Sequence, residues 1–328
     1  MSESATVEEG RLPVSSELVG VLAMVLASAA FGTSGVLVKL IGAEVEISAL
    51  ALAFWRDITT FTVLLTGLAI FRRRWLRIRR ADLRWLVGLG ASLGIFHVFW
   101  NLAVFVNGAA VATVQQAAMP AIVTIVAWFL WRESLTWRKI VAILLTFTGT
   151  VLVSGLDVLG QVQLSAGGLL VGLGVPISYA SWTLFGKKVR ETYNPLTALT
   201  YGFGVAALIL LPFQAFTPQP WPVPGQTLTW FAALIMLSTI LPFAAYTFAL
   251  GRLPASVASI LAMSEIAFVA VYAYFLLGER LTPSQVLGAG LVIGGVLLLS
   301  WRRRRRVGVA RGQRKVSGQD MGSGTRQA

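Results

Sequence analysis

The chain repeats itself at an offset of 146 residues, and each copy holds an odd number of apolar segments. Residues 112–154 align without a gap with residues 258–300, so that Ala112 corresponds to Ala258. Identical pairs include Ala121/Ala267, Phe129/Phe275, Glu133/Glu279, Leu135/Leu281, Thr136/Thr282 and Gly149/Gly295. An odd number of membrane crossings reverses the chain, so the second copy is predicted to lie upside down relative to the first, as in many secondary transporters.

The composition places the chain in a membrane. It is 56% hydrophobic and only 12% charged, with a mean hydropathy of +0.75. A soluble domain carries about 25% charged residues. The chain has no cysteine, which excludes disulfides, thiolate nucleophiles and Cys-ligated metals.

Ten apolar segments, each near the roughly 20 residues that span a bilayer, predict an all-α integral membrane protein of two inverted five-helix repeats. We expect a cytoplasmic N-terminal segment at 1–17, a first repeat at 18–154, a second repeat at 166–301, and a basic, disordered cytoplasmic tail at 302–328. The segments are 18–41, 47–71, 85–107, 110–131, 137–154, 166–188, 195–213, 227–250, 255–277 and 283–301.

The positive charges predict the orientation. Of the 27 Lys and Arg residues, 24 fall on the side of both termini, Lys39 and Arg280 fall on the opposite side, and Arg56 lies within a segment. Because cytoplasmic loops are rich in Lys and Arg, both termini of this multi-pass protein are predicted to be cytoplasmic, in the cell (inner or plasma) membrane. The run 302–306 is predicted to contact anionic lipid headgroups rather than nucleic acid.

Four ionisable residues lie well inside the apolar segments: Arg56, Asp57, His97 and Glu265. Such groups are costly in lipid and usually face a cavity or a partner. Glu265, near the middle of the ninth segment, is either a proton or substrate site or a structural group. Arg56 either binds a substrate carboxylate or pairs with Asp57 or Glu265 as a structural lock.

The single histidine shares a helix face with two further polar or aromatic residues. His97, Trp100 and Asn101 follow the i, i+3, i+4 spacing. His97 is either a hydrogen-bonded structural group or a cavity-lining group that titrates near neutral pH. No metal site is predicted, because neither a second histidine nor a cysteine completes the coordination.

Aromatic residues and prolines complete the candidate set. Trp100, Tyr179 and Tyr246 lie far from the segment ends, which favours a pocket lining over an interfacial belt. Trp182 lies beside the helix face that carries Tyr179 and is a further candidate for the lining. Three prolines lie inside apolar segments and are candidate kinks, either static or points about which one repeat rocks against the other. They are Pro120, Pro176 and Pro242.

The chain resembles the EamA-type branch of the drug/metabolite transporter superfamily over about 18–301. The residues that carry this resemblance are Phe31-Gly32-Thr33-Ser34, Arg56, Pro120, Trp131-Arg132-Glu133-Ser134-Leu135-Thr136, Ala249-Leu250, the small-residue stretch 255–265, Leu276-Leu277-Gly278-Glu279-Arg280-Leu281-Thr282, Gly288 and Gly290. The resemblance implies ten helices in two inverted repeats, and transport of amino acids, metabolites or toxic compounds, mostly outward. Glu265 departs from the family pattern, because Ile266 rather than proline follows it.

These observations predict a secondary transporter that exports small metabolites, amino acids or their analogues first, by alternating access through a central cavity. Proton-coupled efflux of toxic compounds, an uncoupled facilitator and, more distantly, a membrane enzyme or lipid-handling protein are the alternatives. The sequence has no GxxxxGK[ST] or HExxH motif and no dense cluster of intramembrane Asp and His, and neither an enzyme nor a cofactor is predicted. The predicted partners are a small-molecule substrate and the bilayer, with protons and a homo-oligomer left open.

Overall fold

The computed structural model describes residues 14–107, 109–155, 166–278 and 280–299, and within them the ordered elements are helices without a β-strand. The predicted segments 1–17 and 302–328 lie outside these ranges, except for the start of the first helix. Within them the helices make ten spans. Eight spans, over all or most of their length, are long and apolar enough to cross a membrane. Of the other two, Ala166–Val189 has 24 residues, and Pro283–Leu299 is a shorter apolar helix.

The first repeat contains spans one to five. They are α1 (Val14–Gly32) with α2 (Ser34–Glu44), α3 (Ala49–Phe71), α4 (Leu83–Asn107), α5 (Ala109–Gln116) with α6 (Met119–Trp131), and α7 (Trp137–Ser154). The second repeat contains spans six to ten. They are α8 (Ala166–Val189), α9 (Pro195–Leu210), α10 (Gly225–Ile235) with α11 (Leu241–Leu250), α12 (Ala255–Ala262) with α13 (Ser264–Leu277), and α14 (Pro283–Leu299).

Local sequence explains where several helices begin and end. Ser48 and Asn194 cap α3 and α9, since each side chain accepts a hydrogen bond from the backbone three residues on. Pro195 follows Asn194 at the start of α9, where its missing N–H costs nothing. Gly278 ends α13 at φ +67°, a left-handed conformation that glycine adopts without strain.

Spans four and nine are both broken, and the breaks are equivalent. In span four the interruption falls at Ala117 and Ala118. An offset of 146 residues carries these positions to Met263 and Ser264, where α12 gives way to α13. The break in span nine forms although Ile266 stands where the family pattern has a proline. The missing proline therefore does not make span nine a continuous helix.

The helix contacts follow the same two-fold relation. Span three packs on span six and span eight packs on span one, and exchanging the two repeats turns one of these pairs into the other. The contact between spans four and six likewise corresponds to the contact between spans nine and one. When the repeats are exchanged, the contact between spans two and seven corresponds to itself, and so does the contact between spans four and nine. Because each repeat crosses the membrane five times, the two copies have opposite orientations.

Spans five and ten cross at glycines. A Cβ atom built on Gly149 would lie 2.6 Å from the carbonyl oxygen of Gly288, and one built on Gly288 would lie 2.6 Å from that of Gly149. The symmetric contact is also present, because a Cβ on Gly295 would lie 3.0 Å from the carbonyl oxygen of Ala142. Small residues thus let these two backbones touch, as is usual where helices pack in lipid.

Candidate functional site

Spans two and three hold a buried charged cluster. Asp57 is fully buried and His97 is 3% exposed, and His97 Nδ1 lies 2.8 Å from Asp57 Oδ2. Arg56 Nη2 lies 2.8 Å from His97 Nε2, and Arg56 Nε lies 3.7 Å from Asp57 Oδ1. Of the two partners that the sequence leaves open for Arg56, the structure brings Asp57 to it. Among the described residues no ion pair joins Arg56 to Glu265.

The chemistry of the three groups assigns the proton on His97. A guanidinium has only donors, so Arg56 Nη2 donates and His97 Nε2 accepts. The imidazole is therefore neutral, with its proton on Nδ1, and Nδ1–H donates to the Asp57 carboxylate. A second proton on Nε2 would meet the Arg56 donor, so His97 can be protonated only when Arg56 moves away.

The cluster is not saturated. Arg56 Nε, Asp57 Oδ1 and the Thr60 hydroxyl are buried and have no hydrogen-bond partner among the described residues. The Arg56 side chain is 19% exposed, in contrast to its two partners. This leaves Arg56 as the member of the cluster that can reach a ligand. Asp57 and Thr60 are one turn apart on α3, and this face of span two is polar although the surrounding sequence is apolar.

A row of aromatic rings runs from this cluster through the centre of the bundle. The ring of Phe96 lies 5.8 Å from that of His97, 6.1 Å from that of Trp100 and 4.9 Å from that of Tyr179, measured between centroids. Tyr179 lies 5.7 Å from Trp182, and Trp182 lies 4.7 Å from Tyr246. The structure therefore joins the predicted aromatic residues into one group through Phe96, which the sequence argument did not single out.

Hydrogen bonds orient two members of this group. The Tyr246 and Thr183 hydroxyls lie 2.9 Å apart, so span eight is bonded to span six at the centre of the bundle. Asn101 Nδ2 donates to the carbonyl oxygen of His97 at 2.6 Å, and Asn101 is half-buried. Both Tyr246 and Thr183 are fully buried, and the Thr183 hydroxyl also donates to the carbonyl oxygen of Tyr179 at 3.1 Å, so the Tyr246 hydroxyl donates to Thr183.

Glu265 lies at the broken point of span nine. It is the second residue of α13, so its carboxylate sits in the first turn, where the helix dipole favours a negative charge. Glu265 is half-buried, and no described residue forms a hydrogen bond or ion pair with its side chain. It interacts electrostatically with both Tyr179 and Tyr246. Arg56 thus lies at the His97 end of the aromatic row, and Glu265 interacts with two of its tyrosines from span nine.

The three candidate prolines occupy different settings. Pro120 lies in the first turn of α6, directly after the break in span four. Pro242 lies in the first turn of α11, after a π-helical turn at Met236–Ile240 that widens span eight. Pro176 lies inside α8, which continues through it. Two of the prolines therefore coincide with an irregular backbone, and the third does not.

A second polar cluster lies at the ends of the spans, on the side predicted to be cytoplasmic. Glu133, in the loop after span four, accepts hydrogen bonds from the backbone N–H groups of Ala255 and Ser256 at 2.7 and 3.3 Å. It also pairs with Lys139 at 3.5 Å. Glu133 therefore caps span nine from the other repeat. The sequence argument used Glu133 as a repeat marker and as part of the family resemblance but gave it no structural role, and its recurrence as Glu279 was the available signal.

Span six is tied to the same region. Lys187 Nζ donates to the carbonyl oxygens of Leu250 and Leu253, at 2.9 and 2.8 Å, and so satisfies the end of span eight. Glu191 pairs with Lys188 at 2.6 Å and accepts from Trp131 at 3.1 Å. Burial alone would raise the pKa of Glu191, but these hydrogen bonds and the positive charges of the lysines outweigh it and lower the pKa.

The fold and these contacts define a membrane transporter built from two inverted repeats. The model of the EamA-like transporter family matches residues 18–155 and 166–301. The chain therefore belongs to the EamA-like transporter family, a branch of the drug/metabolite transporters.

Individual relatives agree with this assignment. The uncharacterized inner membrane transporter YicL of Salmonella typhimurium is 28% identical over 298 residues, which is 89% of this chain and 98% of that protein. The threonine/homoserine exporter RhtA of Escherichia coli K12 is 32% identical over 126 residues, 38% of this chain and 42% of that protein. A solved crystal structure superposes with a TM-score of 0.72 at 20% identity, covering 89% of this chain and 98% of that one.

Proposed function

We propose that this protein exports an amino acid or a close analogue by alternating access, with the substrate held at the aromatic row. The observation that supports the proposal is that Arg56, bonded to His97, and Glu265, which interacts electrostatically with Tyr179 and Tyr246, come from different repeats and offer opposite charges. A zwitterion has one group for each. Tyr179 and Trp182 offer the ring surfaces that cover an apolar side chain.

The offset of 146 residues strengthens this argument. The positions equivalent to Asp57 and His97 are Phe203 and Phe243, whose rings are also in contact, with centroids 5.0 Å apart. The position equivalent to Glu265 is Met119. The charges are therefore absent from the symmetric positions, where they would be found if they served only to hold a two-fold scaffold together.

Each charged group has a defined role in this proposal. Arg56 leaves His97 and binds the substrate carboxylate through two parallel hydrogen bonds, a geometry that guanidinium favours. Glu265 binds either the substrate ammonium group or a proton. Because the two cations compete for one carboxylate, a proton moves in as the substrate moves out. Glu265 is thus the proposed coupling group.

The relatives and the charge distribution supply the direction and a first substrate panel. RhtA is named as an exporter of threonine and homoserine, and we carry this substrate class over as part of the proposal. The excess of Lys and Arg in the loops beside both termini supports cytoplasmic termini. In this orientation the Glu133 cluster lies at the cytoplasmic end of the transport path.

The test is transport of radiolabelled L-threonine and L-homoserine in proteoliposomes. The wild-type protein is expected to accumulate substrate against its gradient when a pH difference is imposed. Glu265→Gln should lose this uphill transport and retain exchange at equal pH. Arg56→Gln should raise KM about 10- to 100-fold, because one charge-assisted contact contributes about 1.5–3 kcal/mol. Glu191→Gln, at an exposed loop position, is the matched control and should behave as the wild type.

The outcomes separate the alternatives. Uphill transport that survives in folded Glu265→Gln rejects proton carriage by this residue. Exchange without any uphill transport in the wild type indicates a facilitator. If the wild-type protein moves neither amino acid but protects cells against a panel of toxic cations, the substrate class is wrong and efflux of toxic compounds replaces it.

A further inference from the structure

The loop between spans two and three carries an unusual concentration of unpaired positive charge. We call residues 72–82 the basic loop; it forms two 3-10 turns, Arg73–Leu76 and Arg80–Asp82. Its arginines are exposed, and none of them pairs with an acidic side chain among the described residues. These arginines are Arg72, Arg73, Arg74, Arg77, Arg79 and Arg80. The only acidic residue of the loop, Asp82, accepts a hydrogen bond from Tyr193.

The basic loop is held against the start of span seven. Thr197 donates to the carbonyl oxygen of Trp75 at 2.8 Å, and Tyr201 donates to that of Leu76 at 2.7 Å. The backbone N–H of Arg79 donates to the Tyr193 hydroxyl at 3.0 Å. Tyr193, Thr197 and Tyr201 follow each other at intervals of four residues, and their three hydrogen bonds fix the backbone of the basic loop relative to span seven.

An apolar groove starts near the same place, between one and two turns further into the membrane: its lining ends at Leu65 on span two and starts at Thr200 on span seven. It lies between spans two and seven, has a volume of about 360 Å³, and is lined almost entirely by carbon. Its wall on span seven runs from Thr200 to Leu211, which is about 16 Å along a helix axis. One leaflet of a bilayer has a hydrocarbon thickness of about 15 Å, half of the roughly 30 Å core. Tyr201 lines the groove and also holds the basic loop.

We propose that one anionic phospholipid occupies this site, with an acyl chain in the groove and its phosphate on the arginines of the basic loop. The groove matches a single leaflet in length and offers no polar group that a water-soluble ligand would need. The guanidinium groups of the basic loop, which Tyr201 links to the groove, are suited to bind phosphate oxygens in the bidentate manner. A zwitterionic lipid would bring its own cation to a surface that is already positive, so an anionic headgroup is required.

The test measures which lipids stay bound. The full-length protein is reconstituted with equal amounts of phosphatidylglycerol and phosphatidylcholine and examined by native mass spectrometry from mild detergent. We expect one retained phosphatidylglycerol per chain. Substituting Arg73, Arg74 and Arg77 together by Gln should weaken retention on the order of 100-fold, because each arginine contributes about a fivefold factor at an anionic surface. The control replaces three cations outside the run 302–306, namely Arg311, Arg314 and Lys315, by Gln and should keep the lipid.

The groove is tested separately. Leu208 lines it and is 66% exposed, so Leu208→Trp fills the space without disturbing the core. Leu170, also 66% exposed but outside the groove, gives the matched control Leu170→Trp. Loss of phosphatidylglycerol from Leu208→Trp, with retention by Leu170→Trp, supports the proposal. Equal retention of phosphatidylcholine, or unchanged retention of phosphatidylglycerol in either the triple arginine variant or Leu208→Trp, overturns it. Because binding is read directly, the result is independent of the transported substrate.

Discussion

The crossing of spans five and ten makes a quantitative prediction about two glycines on the same helix. In Gly288→Ala the new methyl carbon would lie 2.6 Å from the carbonyl oxygen of Gly149 and 2.8 Å from the backbone nitrogen of Val153. The first distance is almost 1 Å inside the separation of about 3.5 Å at which non-bonded heavy atoms attract each other. Both neighbours are backbone atoms, so the two helices must move apart. Such overpacking costs about 1–3 kcal/mol.

The neighbouring Gly290 supplies the control. A Cβ atom there meets nothing within 4 Å, so Gly290→Ala gains only the better helix propensity of alanine, about 1 kcal/mol. The same gain offsets part of the cost at Gly288. Because the gain is common to both variants, the difference between them equals the overpacking cost, about 1–3 kcal/mol, with Gly290→Ala the more stable.

Thermal unfolding of the purified proteins checks this order. Tryptophan fluorescence is a suitable signal, since the chain contains 11 Trp residues. The midpoint should rise or stay unchanged in Gly290→Ala and should fall in Gly288→Ala. A Gly288→Ala protein that is as stable as Gly290→Ala would show that the two backbones are not in contact, and with it the inferred crossing of spans five and ten would fail.

Three further predictions concern the polar clusters, each read by thermal unfolding. Asp57→Ala should lower the free energy of unfolding by about 3–5 kcal/mol because it leaves the charge of Arg56 without its buried partner. Thr60→Val should change it little, because that hydroxyl has no hydrogen bond among the described residues, and equal effects of the two variants would contradict the assigned cluster. Glu133→Gln should cost about 1–3 kcal/mol through the lost charged cap of span nine, and a loss below that of Glu191→Gln would refute the capping role. Because the pKa of Glu191 is lowered from its ordinary value of 4.5, its ionised form stabilises the fold at pH values above 4.5, and this stabilisation is lost as the pH falls through the folded-state pKa. Glu191→Gln should therefore lose less stability than the wild type in acid, and an equal loss would reject this role.

The spans were predictable because lipid imposes a simple rule. A helix that crosses hydrocarbon must keep about 20 apolar residues together, so composition alone locates its ends within a few residues. The break in span nine was not predictable in the same way. It occurs at Met263, without a proline, and its signal is only the equivalence with the break at Ala117 and Ala118 in span four.

The site was predictable in its members more than in its contacts. Arg56, His97 and Glu265 stood out because ionisable groups are rare in apolar segments. Which of them touch depends on how spans two, three and nine cross, and this depends on packing between residues about 40 or more positions apart. The role of Glu133 was missed for the same reason, since its partner Ala255 lies in the other repeat.

The two-fold relation and its violations together explain how such a chain can work as a carrier. Contacts that map onto each other, such as Gly149 with Gly288 and Gly295 with Ala142, form the scaffold, and an axis that exchanges the repeats also exchanges the two sides of the membrane. In the proposed alternating access, a conformation closed on one side has a counterpart, closed on the other side, that uses equivalent contacts. The proposed substrate, a zwitterion, has no such symmetry, so a site that binds both of its charged groups has to break the relation. Asp57, His97 and Glu265 break it, because the residues 146 positions away are Phe203, Phe243 and Met119.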